Sequence, residues 1–283
     1  MRFAFVDAEK ARVPVQVLCR ALRVSPSGYY AWKRRSPSRR AQRDQRLGVL
    51  VGEAHARSRR TYGSPRVHAE LRAQGERVSR KRVIRLMKAQ GLRGRGRGVF
   101  VRTTDSQHNR PVSDNVLGRD FTASRPNERW VGDVTYLRTP QGWLYLAAIV
   151  DLYSRFVVGW ALSAVNDRRL ALRALDMAVR RRTPADGLLH HTDQGSPYAS
   201  EDYQKRLAEL GIQCSMSRRG NCYDNAAMES WFNTLKSELG ERFESAAHAS
   251  RELFDYIELF YNQQRRHSSL GYRSPREFER HAA

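Results

Sequence analysis

Three acidic residues stand where charge is costly. Asp133 lies inside the apolar, strand-like run WVGDVTYL. Asp193 ends LLHHTD and is followed at once by the turn residues Gln194-Gly195-Ser196-Pro197, and Glu229 sits in the helical run DNAAMESWFNTLKSEL. A carboxylate in such surroundings costs free energy unless it is paired or binds a cation. With no Cys or His spaced as a soft-ligand set, the donors are all oxygen, which suits hard divalent cations. The chemistry this points to is phosphoryl transfer. Two Mg²⁺ (or Mn²⁺) ions held by these acids, ~3.5–4 Å apart, would clamp an in-line displacement at phosphorus. One ion would lower the pKa of an attacking water or 3′-hydroxyl and the other would stabilise the leaving oxygen, with Asp133 bridging them. No side chain need act as a covalent nucleophile.

The elements that must position these acids begin at Asn127. Residues 130–137, 143–150 and 156–162 are β-rich runs separated by short turns, which reads as an antiparallel meander. A helix over 167–182, a strand over 188–192, a helix over 200–210, a short strand over 212–217 and a helix over 224–239 follow. This order implies a mixed sheet flanked by helices, an α/β fold. The first and fourth strands can be neighbours, which would set Asp133 and Asp193 side by side. On the last helix Met228, Phe232, Leu235 and Leu239 form the buried face. Glu229, Asn233 and Lys236 align at i, i+4 and i+7, so an acid and a phosphate-binding cation share one stripe. An aromatic-rich helix over 248–262 reads as core.

Charge is distributed unevenly. Of the net +22, residues 1–120 carry 29 Lys and Arg against nine Asp and Glu, a net +20, while the remainder is nearly balanced. Arg dominates, favouring bidentate phosphate contacts and nucleic acid over a merely solvated face. Residues 13–35 read as two short helices around Ser25-Pro26-Ser27, in the manner of a helix-turn-helix, and 38–57 as a connecting helix. Ser64 is the expected N-cap of a helix that Gly75 stops, and Ser79 caps a second that Gly91 ends. On that second helix Val83, Leu86, Met87 and Gln90 share one face, and Arg80, Lys81, Arg82, Arg85 and Lys88 cover the rest as expected DNA contacts. Residues beyond it (LRGRGRG) read as a basic linker.

The contexts WVGDVTY, HHTDQGSPYAS, SRRGNCYDNAAMESWFNTLKSEL and YNQQRRHSSLGYRSPREF occur in that order. Thirty-five residues separate the second Asp from the Glu, and a Lys follows seven residues later. This pattern resembles the DDE transposases of two-reading-frame bacterial insertion sequences, specifically the second-frame catalytic protein, kin to retroviral integrases. The resemblance covers nearly the whole chain. It implies an RNase H-like integrase catalytic core preceded by all-α helix-turn-helix-like modules, with Asp133, Asp193 and Glu229 as ligands of two Mg²⁺ or Mn²⁺ ions. It implies Lys236 at the DNA near the scissile phosphate, with Asn233 beside it. The expected division is 1–58 an N-terminal helical, helix-turn-helix-like segment; 59–93 a DNA-binding module; 94–125 the linker; 126–240 the core; 241–283 a C-terminal helical tail. The implied partners are double-stranded DNA (terminal inverted repeats and target), further copies of the chain on DNA, and a first-frame protein or frameshift fusion. The His-His-Cys-Cys zinc module of retroviral integrases is absent. The rival readings are an RNase H-like nuclease without strand transfer and a non-catalytic DNA-binding regulator.

Other residues read more plainly. His190 and His191 are expected as hydrogen-bonded sheet residues, and Asp151 as a turn-stabilising acid. Asn225 is balanced between capping its helix and touching substrate. Arg265, Arg266 and His267 either bind DNA or cover the aromatic helix. The three cysteines form neither a disulfide framework nor a zinc motif. No apolar run approaches the ~20 residues that span a bilayer, and no signal peptide is expected. A cytoplasmic, nucleoid-associated protein is the expectation.

Overall fold

The computed structural model describes residues 1–96, 112–218 and 222–281. The middle of the expected linker, with Arg97 and Pro111, therefore lies outside the described residues, as do 219–221 within the stretch before Glu229. Strands β1 (Arg129–Thr139), β2 (Gly142–Asp151) and β3 (Val157–Ser163) form the expected meander. The first hairpin runs in continuous register from Trp130↔Asp151 to Thr139↔Gly142, and Gly142 takes the positive φ of 125° at its turn. Strands β4 (Leu189–Thr192) and β5 (Gln213–Met216) complete a five-stranded sheet in the order β3-β2-β1-β4-β5. β4 runs parallel to β1, and β5 parallel to β4.

Helices cover both faces. Helix α7 (Arg168–Arg182) starts where the Asp167 side chain accepts the Leu170 N–H, and buries Leu170, Ala174, Leu175 and Ala178. It comes so close to β3 that a Cβ at Gly159 would lie 2.2 Å from the Ala174 carbonyl oxygen. Helix α8 (Glu201–Glu209) joins α7 over the same core. On the opposite face α9 (Ala226–Glu238) and α10 (Ala246–Phe254) pack with the C-terminal residues. The single aromatic helix expected over 248–262 instead widens after Phe254 into a π-helical turn, Asp255–Tyr261, which presents Tyr256, Ile257, Phe260 and Tyr261 together to the core. A short α11 (Pro275–Arg280) ends the described chain, fixed by a Ser274/Glu277 capping box. No helix among the described residues is long and apolar enough to cross a membrane.

Ahead of the sheet, α1 (Arg2–Glu9), α2 (Val15–Ala21) and α3 (Pro26–Arg34) close around a small core of Val6, Leu18, Cys19 and Tyr29. The first of these helices was not expected from the sequence. Helices α4 (Arg39–Arg57), α5 (Ser64–Ala73) and α6 (Arg80–Ala89) follow. Gly63, not Ser64, occupies the α5 cap, and Ser64 falls inside the first turn beside Pro65. The apolar faces of α4–α6 are continuous with the core beneath α9 and α10.

A buried ion pair ties these parts together. Glu238, at the end of α9, accepts hydrogen bonds from Arg265 Nε (2.8 Å) and Nη2 (2.7 Å) and from Tyr256 Oη (2.8 Å). Arg66 of α5 lies 3.4 Å away, and Arg95 Nη1 donates to the Glu238 carbonyl oxygen. Beside it Arg266 pairs with Glu70, and its N–H donates to Tyr62 Oη. Glu238 and Arg265 keep only 5% and 4% of their side-chain surface exposed.

Two stability outcomes follow. Glu238→Ala strands the Arg265 guanidinium and is expected to cost about 3–5 kcal/mol in urea denaturation. Gly159→Ala forces α7 off the sheet, with an expected loss of about 1–3 kcal/mol. A wild-type unfolding midpoint for either variant would contradict the role assigned to that residue.

Candidate active site

The parallel ladder between β1 and β4 brings the first two acids together. Its last register pair is Val131↔His191. Asp133 and Asp193 each lie two residues further on, opposite one another where the strands part and on the face that carries Val131. β1 continues alongside β2, where Asp133 pairs with Ala148, while β4 ends at Thr192 and the chain turns. Asp193 Oδ1 accepts the Gly195 N–H at 2.9 Å, and a Cβ on Gly195 would stand 2.9 Å from that same oxygen. A side chain at this position would press directly on the carboxylate.

Asp133 is strongly perturbed. Burial pushes its carboxyl well above the usual range, and the charges of Asp193 and then Glu229 push it further, against a hydrogen bond from the Val134 N–H (2.7 Å). Glu229 stands half-buried in the first turn of α9, with Met228, Trp231, Phe232 and Leu235 buried around it. The three acids therefore share one electrostatic neighbourhood. They do not form a closed ligand cage: among the described residues no three His, Cys, Asp or Glu side chains converge closely enough to hold an ion as they stand. The donor set fits a hard cation, because a positive charge would reverse the repulsion that raises Asp133.

Asn233 and Lys236 lie half-buried further along α9. The Lys236 ammonium stands 4.5 Å from the Tyr136 ring centroid and 3.7 Å from Glu241, and its burial lowers its pKa. His191 is held at both nitrogens, Nδ1 by Ser215 Oγ (2.8 Å) and Nε2 by Ser217 Oγ (3.2 Å), and burial lowers its pKa to about 4. It is a neutral sheet residue with no nitrogen left for a cation. His190 bonds Tyr203 Oη at 2.8 Å. Both oxygens of Asp151 accept backbone N–H groups, from Asn127 and Tyr153, so this acid fastens its turn. Asn225 does not cap α9: its side chain makes no cap bond, and its buried Oδ1 has no partner among the described residues.

The basic face of α6 is partly engaged. Asp44 of α4 takes Arg82 Nε at 2.6 Å and Arg85 Nη2 at 2.7 Å. Arg80, Lys81, Arg85 and Lys88 are exposed, while Arg82 is half-buried. Arg265 and Arg266 are committed to Glu238 and Glu70, and His267 is buried, so this trio covers the aromatic helix and offers no DNA surface. Sequence reasoning passed over Asp224, a fully buried acid five residues before Glu229. Its only signal was an acid set among the basic residues that precede α9.

Comparison with known proteins identifies the family. Two Integrase core domain models match residues 123–222 and 210–275, and an HTH-like domain model matches residues 42–100. Transposase InsF for insertion sequence IS3A of Escherichia coli (strain K12) is 44% identical over 283 residues, covering 99% of this chain and 98% of that protein. The Insertion element IS600 uncharacterized 31 kDa protein of Shigella sonnei is 45% identical over 263 residues, covering 92% and 97%. Among solved structures, a chain of the simian T-cell lymphotropic virus intasome in complex with PP2A regulatory subunit B56 gamma aligns over 81% of this chain and 74% of its own. It does so at 16% identity and a TM-score of 0.46, a likeness too loose to add to the family match. With near-complete coverage at 44% identity, an integrase core and a helix-turn-helix-like unit ahead of it, the chain belongs to the IS3-family insertion-sequence transposases.

Proposed function

We propose that Asp133, Asp193 and Glu229 are the metal-binding carboxylates of this transposase, at the site where it cuts the ends of its element and joins the freed 3′-ends to target DNA. The observation that carries this reading is Asp133, half-buried in β1 within the field of two other acids. All-oxygen donors suit Mg²⁺ or Mn²⁺, and two ions per site is the stoichiometry the chemistry uses. Bound there, the ions would lower the pKa of the attacking water or 3′-hydroxyl and stabilise the leaving oxygen. The chain's own groups do the rest. Asp133 is held within the hydrogen-bonded sheet and Asp193 by the turn that follows β4. Glu229 supplies the third carboxylate from α9. Asn233 and Lys236 lie further along the same stripe and orient the phosphate, Lys236 exchanging Glu241 for a phosphate oxygen.

The DNA-reading unit in this proposal is α4–α6. Arg80, Lys81 and Lys88, with Arg82 and Arg85 braced by Asp44, contact the double-stranded terminal repeats. Two ends are paired by further copies of the chain, with a first-frame protein or a frameshift fusion as the companion in end binding. This work is done on chromosomal DNA in the cytoplasm.

Labelled element ends and a supercoiled target test the triad. Asp133→Asn and Glu229→Gln are expected to lose cleaved and joined products by roughly a thousandfold, about 4 kcal/mol in barrier, while still shifting end DNA in a gel. Joining at the wild-type rate in either variant would end the reading. For the DNA surface, replacing Arg80, Lys81 and Lys88 together by Ala should weaken binding and flatten the slope of log K against log salt by roughly 0.9 for each phosphate no longer neutralised. An unchanged slope would move the DNA elsewhere.

A further inference from the structure

Asp224 lies in the 3₁₀ turn Cys222–Asn225 that leads directly into α9. Its side chain is wholly buried, yet it is heavily bonded. Asn115 Nδ2 donates to it at 2.9 Å and Arg119 Nε at 2.7 Å. Arg218 donates three times, through its backbone N, Nε and Nη2, each at 3.0 Å. The bonds from Arg218, and then from Arg119, hold the Asp224 carboxyl well below the usual carboxylate range against the opposing effect of burial. Arg119 also lies over the Tyr223 ring, 5.7 Å from its centroid.

The donors come from two places with one thing in common. Arg218 follows β5, so its bond to Asp224 joins the two sides of the stretch between β5 and α9. Asn115 and Arg119 belong to residues 112–119, which run along the open edge of β5. There the Met216 N–H donates to the Asp114 carbonyl oxygen (3.2 Å), and the Leu117 N–H donates to Ser215 Oγ (3.1 Å). This strap is the last part of the segment that arrives from the DNA-reading unit. The start of α9 therefore has no side-chain cap from Asn225; it is held from outside, by Asp224 bound to the strap and to the sheet.

We propose that Asp224 is the positioning residue for Glu229. It is not a metal ligand, because both of its oxygens are consumed by guanidinium, amide and backbone donors. Its role is to fix the azimuth and height of the first turn of α9 against β1, so that the third carboxylate is presented toward Asp133 and Asp193. A charge-assisted clamp of this kind resists sliding of the turn better than a neutral cap, since each guanidinium bond is directional. The proposal rests on the reading of the triad as the metal site.

The test uses full-length protein and compares Asp224→Asn and Arg119→Ala with Glu229→Gln. Arg119 is 44% exposed at its side chain, so its variant keeps the test alive if Asp224→Asn fails to fold. Three readouts are taken: Mn²⁺ binding by calorimetry, amide exchange of metal-free protein, and single-turnover end cleavage across a Mn²⁺ titration. Asp224→Asn is expected to raise the Mn²⁺ concentration for half-maximal cleavage at least fivefold and to weaken the calorimetric affinity in parallel. Exchange should accelerate in residues 223–230 while the β1 and β4 amides stay protected, and end-DNA binding should stay within twofold. Arg119→Ala should shift the metal dependence in the same direction by less, and add nothing to Asp224→Asn in the double variant. Unchanged metal affinity with a slower reaction, additive effects in the double variant, or faster exchange throughout the sheet would each overturn the positioning role. If Glu229→Gln itself binds Mn²⁺ as wild type does, the triad reading fails and takes the proposal with it.

Discussion

The parallel ladder between β1 and β4 is the contact on which the proposed site depends. It is short, because β4 has only four residues, and its register decides everything downstream. Val131 faces His191, so the residues two places on from each are both aspartates and both lie on the α9 side of the sheet. A slip of one residue would turn Asp193 to the other face, toward α7 and α8. Several features guard that register. The imidazole of His191 is locked between two serines of the β5 edge, and His190 is held by Tyr203 on the opposite face. Ending β4 after Thr192 opens the crevice at the carboxyl end of a strand, where mixed and parallel sheets place their ligands.

Helix α9 is the second constraint, and it is held at both ends by buried acids that do no chemistry. Asp224 fixes its start and Glu238 its finish, with Glu229 and Lys236 between them. Buried ion pairs are poor sources of net stability, because desolvation offsets most of the attraction. Their value here is geometric: each carboxylate admits few arrangements of its donors, and each draws those donors from distant parts of the chain. The helix is thereby tied to the sheet edge at one end and to α5 and the C-terminal residues at the other.

Much of this was legible in the sequence, and the limits follow from what periodicity can encode. β-rich runs bounded by turn residues located β1, β2 and β3 to within a residue or two, and the i, i+4, i+7 stripe of α9 separated Glu229 and Lys236 from Met228, Phe232 and Leu235 correctly. The turn roles of Asp151 and the sheet roles of the histidines could be read from neighbours. Pairings across the chain could not. Arg82 and Arg85 look like free cations on a recognition helix, since nothing local reveals that Asp44, some forty residues upstream, already holds both. Arg265 looks like a DNA contact until Glu238 is found beneath it. Asn225 looks like a helix cap because its type suits the position, and the clamp at Asp224 removes the need for one. The π-helical turn leaves no pattern distinct from an α-helix, as its aromatic residues suit either.

The docking of α5 against the end of α9 has a consequence for how such enzymes diversify. Arg66, Tyr62 and Glu70 of the DNA-reading unit are each committed to partners at 238 or 266. A helix pair exchanged alone between relatives would arrive without its matching seat and leave charges stranded in the interior. Substitutions on the outward side of α6, where Arg80, Lys81, Ile84 and Lys88 are exposed, disturb none of these contacts. The inward side can change only in step with the tail, so a substitution there calls for a matching one between 172 and 204 residues away.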